Sequence, residues 1–532
     1  MVQAFSYEFV LTGHDDDQPA EDGALDALVP RFSLVPGGRP RAIRRTWLDT
    51  FDWRLHRAGL TLEHTTGAGP GELTLTGPDG ERLVARPGRL TWPALAGSLP
   101  DGPLRARLRP LIGVRALMPV ARGGSAVRDL RVLNADDKTV AWLALDRLSV
   151  TYPATADLPS RLTVTAVRGY QPQAERVAQV LGGTPGVEPQ GPPPLDAALA
   201  AAGRRAGDYS SQINVCLTPA MPASAAVTAV LLDLLSTLEA NVPGTIRAID
   251  TEFLHDLRVS VRRTRSVLKL VGHVLPAEFA QKFRPEFKWL GDLTTPTRDL
   301  DVYLLKYPDM AAGLVAATPE ELHPLHAHLI RSRAAERRRL VRGLRSARFT
   351  RLTREWRAAL ESLQAATQGP AAVPGSAVSG GPDAADLAAA SIRRAHRRVL
   401  RQGRAITANS PPERLHDLRK RCKELRYLLE SFASLHDPAT HRRAVKELKG
   451  LQDCLGEFQD GQVQQHEIRM FAAHMMSDRN VPATALLAMG ELAAQVGLQQ
   501  VQARSQFAGR FGEFASLATQ QRFRTLTAGA AS

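Results

Sequence analysis

Cysteine is scarce: the 532 residues include three, Cys216, Cys422 and Cys454. Three are too few for a disulfide framework and their spacing fits no zinc motif, so a reducing cytosol is the default expectation. Long apolar runs are missing too. The longest, Ala220 to Leu232, is interrupted by Pro222 and Ser224 and is too short to span a bilayer. The opening MVQAFSYEFVLTGHDDD lacks a basic n-region and soon turns acidic, which argues against a secretory signal. No Walker loop, Rossmann glycine pattern or nucleophile triad is visible. Acids are in deficit: 54 Asp+Glu stand against 68 Lys+Arg, a formal net charge of +14.

What is present suffices for a packed core. Hydrophobic residues are 44% and charged residues 23%, close to globular averages, and the length calls for more than one domain. The charge surplus is uneven. Residues 1–200 hold 22 basic and 22 acidic side chains, so residues 201–532 hold the remaining 46 and 32 and carry all of the +14. Only the second part looks built for a polyanion.

Residues 1–182 read as β-rich. Arg161–Val167 alternates Leu162, Val164 and Ala166 with other residues, the strand period. Gly and Pro punctuate at short intervals, so an antiparallel sheet or barrel is expected. Residues 183–222 carry seven prolines and read as a linker. From Ala223 onward the pattern is helical, with runs at 223–240, 250–272, 277–294, 298–306, 320–365, 383–407, 413–433, 438–457, 459–478 and 482–515. A small-residue, uncharged stretch within 366–382 reads as a flexible loop between repeat 1 (223–365) and repeat 2 (383–516).

The repeat rests on one offset. His255-Asp256-Leu257-Arg258 recurs as His416-Asp417-Leu418-Arg419, 161 residues on. The same offset pairs Arg262 with Lys423, Arg265 with Arg426, Lys282 with Arg443, Lys288 with Lys449, Asp292 with Asp453 and Asp299 with Asp460. Self-similarity of this length implies a tandem duplication and two related helical bundles.

At about 100° per residue, His255, Arg258, Arg262, Arg265 and Lys269 fall within about 80° of one another. Leu254, Leu257, Val261 and Leu268 form the adjacent apolar stripe. His416, Arg419, Lys423 and Arg426 repeat the arrangement. An ordinary solvated helix mixes signs along a face, because like charges at i,i+4 repel. Further cations follow: Arg338 and Arg342 in an Arg-rich run from 331 to 357, Arg394, Arg397 and Arg401 ahead of the second repeat, and Arg443, Lys446 and Lys449 beyond it. Arg suits phosphate because its planar fork donates two parallel hydrogen bonds.

The duplicated HDLR-x3-[RK]-x2-R helices resemble the CHAD domain, the histidine-bearing α-helical family, over about 225–515. The resemblance implies two pseudo-symmetric four-helix bundles, binding of inorganic polyphosphate along the basic surface, and residence on polyphosphate granules in the cytoplasm. It also implies that His255, Lys282, Lys288 and the ridge residues face phosphate. Residues 5–182 resemble the CYTH domain, a triphosphate tunnel, through Thr46–Asp52, Leu55–Leu62 and Leu145-Asp146-Arg147. That family's opening Glu-x-Glu-x-Lys is reduced to Glu8, Glu63-His64 stand where basic residues usually follow, and Leu162-Thr163-Val164-Thr165 brings no carboxylates. The expectation is a pseudo-enzyme domain without metal or cofactor, in which Arg44, Arg45 and Arg57 are scattered surface arginines. A metal-dependent triphosphatase or polyphosphatase is the enzyme alternative. Nucleic-acid binding is another, although the basic helices offer few stacking aromatics: Phe349, Trp356 and Tyr427. No membrane partner is expected.

Overall fold

In a computed structural model of the chain, residues 6–12, 14–15, 18–67, 69, 71–368, 381–476 and 481–528 are described. The expected loop within 366–382 lies largely outside them. The chain forms two units, Met1–Ser210 and Ser211–Ser532.

The first unit is built on an antiparallel sheet. Its centre is a long hairpin, Leu117–Leu133 with Thr139–Tyr152. Asn134 turns it: its side chain accepts from the backbone N–H groups of Asp136 and Lys138, and Asp137 takes the left-handed conformation at φ 56°, where Asp is tolerated. Strands Arg41–Thr50, Thr61–Thr66, Glu72–Thr76 and Arg82–Ala85 extend one side. Strands Arg161–Ala166, Ser6–Leu11 and Val187–Pro189 extend the other. The alternation read at 161–167 holds: Leu162 and Val164 are buried between less buried neighbours. Among the described residues five α-helices accompany the sheet: α1 (Ala20–Asp26), α2 (Arg54–Arg57), α3 (Pro103–Ile112), α4 (Gln171–Gly182) and α5 (Pro194–Ala200). Helix α4 packs Val177 and Leu181 on Leu143 and Leu162, and α3 packs Leu104 and Leu108 near Leu48 and Leu73. The stretch 183–222, read as a linker, thus holds a strand and α5.

The second unit is helical: α6 (Ala223–Arg247), α7 (Thr251–Leu270), α8 (Ala277–Ala312), α9 (His323–Leu344), α10 (Ala347–Gln368), α11 (Ala384–Arg404), α12 (Pro412–Ser431), α13 (Pro438–Met476), α14 (Ala483–Phe514) and α15 (Leu517–Ala528). The starts of α6, α7 and α8 map onto those of α11, α12 and α13 with the offset of 161. Neighbour relations repeat as well. In the first copy α6 packs on α7, α7 on α8, α8 on α9, and α10 returns to α6. In the second, α11, α12, α13 and α14 pack in the same succession and α15 returns to α11.

The helices depart from the sequence reading at four places. Helix α8 joins two expected runs and continues through Pro285, Pro296 and Pro308. An interior proline costs about 3 kcal/mol, but Phe279, Phe283, Phe287 and Leu290 of this helix are all buried. Helix α13 is likewise continuous across two expected runs. The single run expected over 320–365 is instead split at Arg345-Ser346, where the Ser346 hydroxyl accepts from the Phe349 N–H and restarts the helix. Helix α15 lies beyond 516, and its Phe523 stacks on His396 of α11 at 4.0 Å between ring centroids.

The apolar faces of both copies merge in a main core, from Leu231, Leu257 and Phe287 to Leu418, Leu429 and Leu455, and a second cluster joins them around Leu300, Leu325, Ile468 and Leu492. Helix α6 is apolar and long enough to cross a membrane by length and composition, but Val227, Val230, Leu234 and Leu238 lie in this core. Burial also fixes His396 in its neutral form, with its pKa pushed down to about 4. Phe523→Ala in the full-length chain should therefore lower unfolding free energy by about 3–5 kcal/mol, read as a lower midpoint in urea with an unchanged slope. A change under about 1 kcal/mol would show that α15 is not part of the packed unit.

Candidate functional site

Helices α7 and α12 bring the two basic ridges together. Helix α7 starts on Asp250, whose carboxylate accepts from the Glu252 and Phe253 N–H groups. Helix α12 starts with Pro412 in the first turn, where a missing N–H costs nothing. Their apolar stripes are buried as read: Leu254, Leu257, Val261 and Leu268 in α7, Leu415, Leu418, Cys422 and Leu429 in α12. The helices cross in direct contact. Two ion pairs tie the crossing, Arg263–Glu430 at 2.8 Å and Lys269–Glu424 at 2.7 Å.

Two cavities open along this crossing. One, of about 650 Å³, is lined by Ser211, Gln212, His255, Asp256, Val259, Arg262, Arg263, Arg419, Lys423, Arg426, Tyr427, Glu430, Gln452, Asp453, Gly456, Glu457 and Asp460. The other, of about 500 Å³, is lined by Arg262, Arg265, Ser266, Lys269, Arg284, Lys288, Lys420, Lys423, Glu424 and Tyr427. They share Arg262, Lys423 and Tyr427. Arg262 and Lys423 are mates under the 161 offset, so the pseudo-twofold relation runs between them.

Eight of the sequence-derived residues are thereby brought together: His255, Arg262, Arg265, Lys269, Lys288, Arg419, Lys423 and Arg426. Arg258 and His416 flank them, each engaged on its own bundle. Arg258 donates to Thr295 and lies 3.7 Å from Asp299. His416 Nδ1 is 2.6 Å from Gln459 Oε1. Arg419 pairs with Asp460 at 3.1 Å, the mate of the Arg258–Asp299 pair. Lys282, Arg338, Arg342, Arg394, Arg397, Arg401, Arg443, Lys446 and Lys449 line neither cavity. Lys282 pairs with Glu355 at 2.8 Å, and the other eight are exposed on α9, α11 and α13. Arg284, Lys420 and Tyr427 line the cavities without having been singled out as ligands. Arg284 and Lys420 belong to no repeated motif, and the signal that could have found them is their helical spacing from Lys288 and Lys423.

Burial and like charge both act on Lys423. Lys423 has its pKa pushed down to about 8, first by burial and then by Arg419 and Arg262. Among the described residues, Arg262, Arg265, Arg284 and Lys423 form no ion pair with a carboxylate.

In the first unit Arg45 is no surface arginine, contrary to expectation. It reaches across strands to the Ser125 hydroxyl at 2.8 Å, Glu63 at 3.1 Å and Asp146 at 2.5 Å. The strand period puts these side chains on one face, so the guanidinium meets two carboxylates there. Arg44 and Arg57 are exposed as expected. Asp49, inside the Thr46–Asp52 motif, is buried and accepts from the N–H groups of Thr50, Leu55 and His56. Burial raises its pKa to about 6 against those bonds, and its role is to hold the turn into α2. Among the described residues no three His, Cys, Asp or Glu side chains converge on a metal position.

No curated protein matches the chain. Among solved structures, the CHAD domain from the plant Ricinus communis is 24% identical, covers 57% of this chain and 96% of its own, and superposes with a TM-score of 0.47. PptA from Streptomyces chartreusis is 17% identical, covers 55% of this chain and 99% of its own, with a TM-score of 0.39. HpAC1 from Hippeastrum, described as having a dominant triphosphatase activity, is 13% identical over 39% of this chain and all of its own, with a TM-score of 0.25. Residues 229–469, which contain both basic ridges and the crossing of α7 with α12, match the family model of the CHAD domain, and the second unit carries that domain.

Proposed function

We propose that the helical unit binds inorganic polyphosphate without catalysis, through the groove where α7 and α12 cross, and so holds the protein on polyphosphate granules in the cytoplasm. The carrying observation is the meeting of both repeats' cations at Arg262 and Lys423, with guanidinium and ammonium groups that have no carboxylate partner. Placing like charges together costs stability in the empty protein, and a polyanion removes that cost. The CHAD family's link to polyphosphate supports the same ligand.

Nucleic acid is the weaker alternative. Single-stranded nucleic acid is gripped by stacking its bases on aromatic rings as well as by charge. Of the three aromatics on the basic helices, Phe349 and Trp356 are buried in the core, and Tyr427 remains on the groove. Labelled long-chain polyphosphate should therefore resist competition by RNA and DNA at physiological salt. Arg262→Glu and Lys423→Glu should each weaken it by about tenfold or more, since one charge-assisted contact is worth about 1.5–3 kcal/mol. Affinity should fall steeply with added salt. The exposed Arg351 and Arg354 are controls whose reversal should matter less. Equal losses at all four positions, or displacement by RNA, would overturn the reading.

The first unit is proposed to be non-hydrolytic. Triphosphate hydrolysis needs metal-binding carboxylates and free cations on the phosphates, whereas Arg45 is engaged by Glu63 and Asp146. Tripolyphosphate with magnesium or manganese should release no phosphate above background. Turnover that Glu8→Ala abolishes would show a working tunnel.

Lys423 gives a pH dependence. Its folded pKa, about 8, lies below that of an unfolded lysine, about 10.4. Between these values the unfolded chain binds more protons, so the empty protein should gain stability as pH rises from about 8. Bound phosphate would favour the ammonium form and draw a proton in. Polyphosphate affinity should therefore weaken above pH 8, and Lys423→Gln should flatten that fall. An unchanged pH profile in the variant would remove Lys423 from the site.

A further inference from the structure

The two cavities are related through the two ridge helices. Under the 161 offset, Val259 maps to Lys420, Arg262 to Lys423, Arg265 to Arg426 and Ser266 to Tyr427, and each of these residues lines a cavity. A symmetric groove would treat a polyanion alike on both sides. The charges do not allow it. The smaller cavity is lined by seven basic side chains and one acid, Glu424, which Lys269 already neutralises. The larger is lined by five Arg and Lys side chains against five Asp and Glu.

The difference comes from which stretch of the third helix each cavity reaches: the mates of Arg284 and Lys288 are Val445 and Lys449, and neither lines the larger cavity. Helix α8 contributes Arg284 and Lys288 to the smaller cavity. Its counterpart α13 contributes Asp453, Glu457 and Asp460 to the larger. These three are spaced i, i+4 and i+7, on one helix face, and all are exposed. Asp453 and Asp460 have acidic mates in the first copy, Asp292 and Asp299, but neither of these lines the smaller cavity, and Glu457 stands where the first copy has Pro296. Apart from the shared Arg262 and Lys423, the Arg side chains of the larger cavity are already engaged, Arg419 by Asp460 and Arg263 and Arg426 by Glu430. In the smaller one Lys288 and Lys420 pair only with the exposed Asp292 and Asp417, and among the described residues Arg265 and Arg284 pair with no carboxylate.

We propose that the phosphate chain sits off the pseudo-twofold axis, along Arg284, Lys288, Arg265 and the central Arg262–Lys423 pair, and stops at the acidic edge of α13. This rests on the polyphosphate reading above. The edge acts as a limit because a phosphate advanced into the larger cavity meets fixed carboxylates while the nearby arginines are already paired. One cavity seats the ligand, and the other sets how far the ligand extends.

The test uses the full-length protein and long-chain polyphosphate at fixed salt. Arg284→Glu with Lys288→Glu should weaken binding by about tenfold or more. Arg426→Gln, on the opposite side, should change it by less than about threefold. Asp453→Asn with Glu457→Gln should strengthen it by about threefold or more, because two repelling charges leave the end of the track. All of these except Arg426 are exposed residues, and a thermal melt for each variant checks the fold. Equal losses from the two sides, or no gain from removing the acids, would overturn the asymmetric seat while leaving polyphosphate as ligand. Wild-type protein that ignores polyphosphate would overturn the ligand itself, and the seat with it.

Discussion

Two helices with the same basic face can cross in contact only if something offsets their repulsion. Here the offset comes from a charge exchange between the copies. Positions 263 and 269 are Arg and Lys in α7, and their mates in α12 are Glu424 and Glu430. Each pairs across the crossing with the other's mate, Arg263 with Glu430 and Lys269 with Glu424. Acids therefore sit at the flanks of the contact and leave its centre cationic. With that crossing fixed, Arg262 and Lys423 are held near each other, the cavities open on either side, and the apolar stripes beneath close into one core. Arg263 and Glu424 are buried and Lys269 is exposed, and the attraction within such covered pairs is largely spent on desolvation. Their importance is in selecting which faces meet.

Much of this was legible from residues alone. The 161 offset located the duplicated helices, and the stripe beside each ridge named core residues that are in fact buried. The ridge itself was legible because helical periodicity is local. What was not legible is which cations are already engaged. Arg258 reads as a phosphate ligand on its own helix, yet Asp299 and Thr295 come from α8 and reach it through the bundle. The exposed arginines of α9 and α11 illustrate the same limit: a run of charge states what a helix carries, and only packing states which side faces the groove. Helix α15 escaped notice because its sequence is weakly patterned, and its burial depends on His396 and Phe514 waiting in the other helices.

The first unit repeats the lesson with the opposite sign. Its alternating strands were readable, and so was the loss of the acidic motif near Tyr7–Thr12. Arg45 was misjudged because its partners Glu63, Ser125 and Asp146 are up to about a hundred residues away in sequence, and only the sheet makes them neighbours. Asp49 shows how a motif residue can be retained for geometry: three backbone N–H groups depend on its carboxylate.

The exchanged charges at the crossing make the two copies complementary to each other rather than to themselves. A protein made of two first copies would set Arg263 opposite Lys269 on both sides of the crossing, and one made of two second copies would set Glu424 opposite Glu430. Neither half retains the self-complementary surface that an ancestral pair of identical chains would have needed. Recombination between the two copies would therefore replace both attractive contacts at the crossing by repulsive ones.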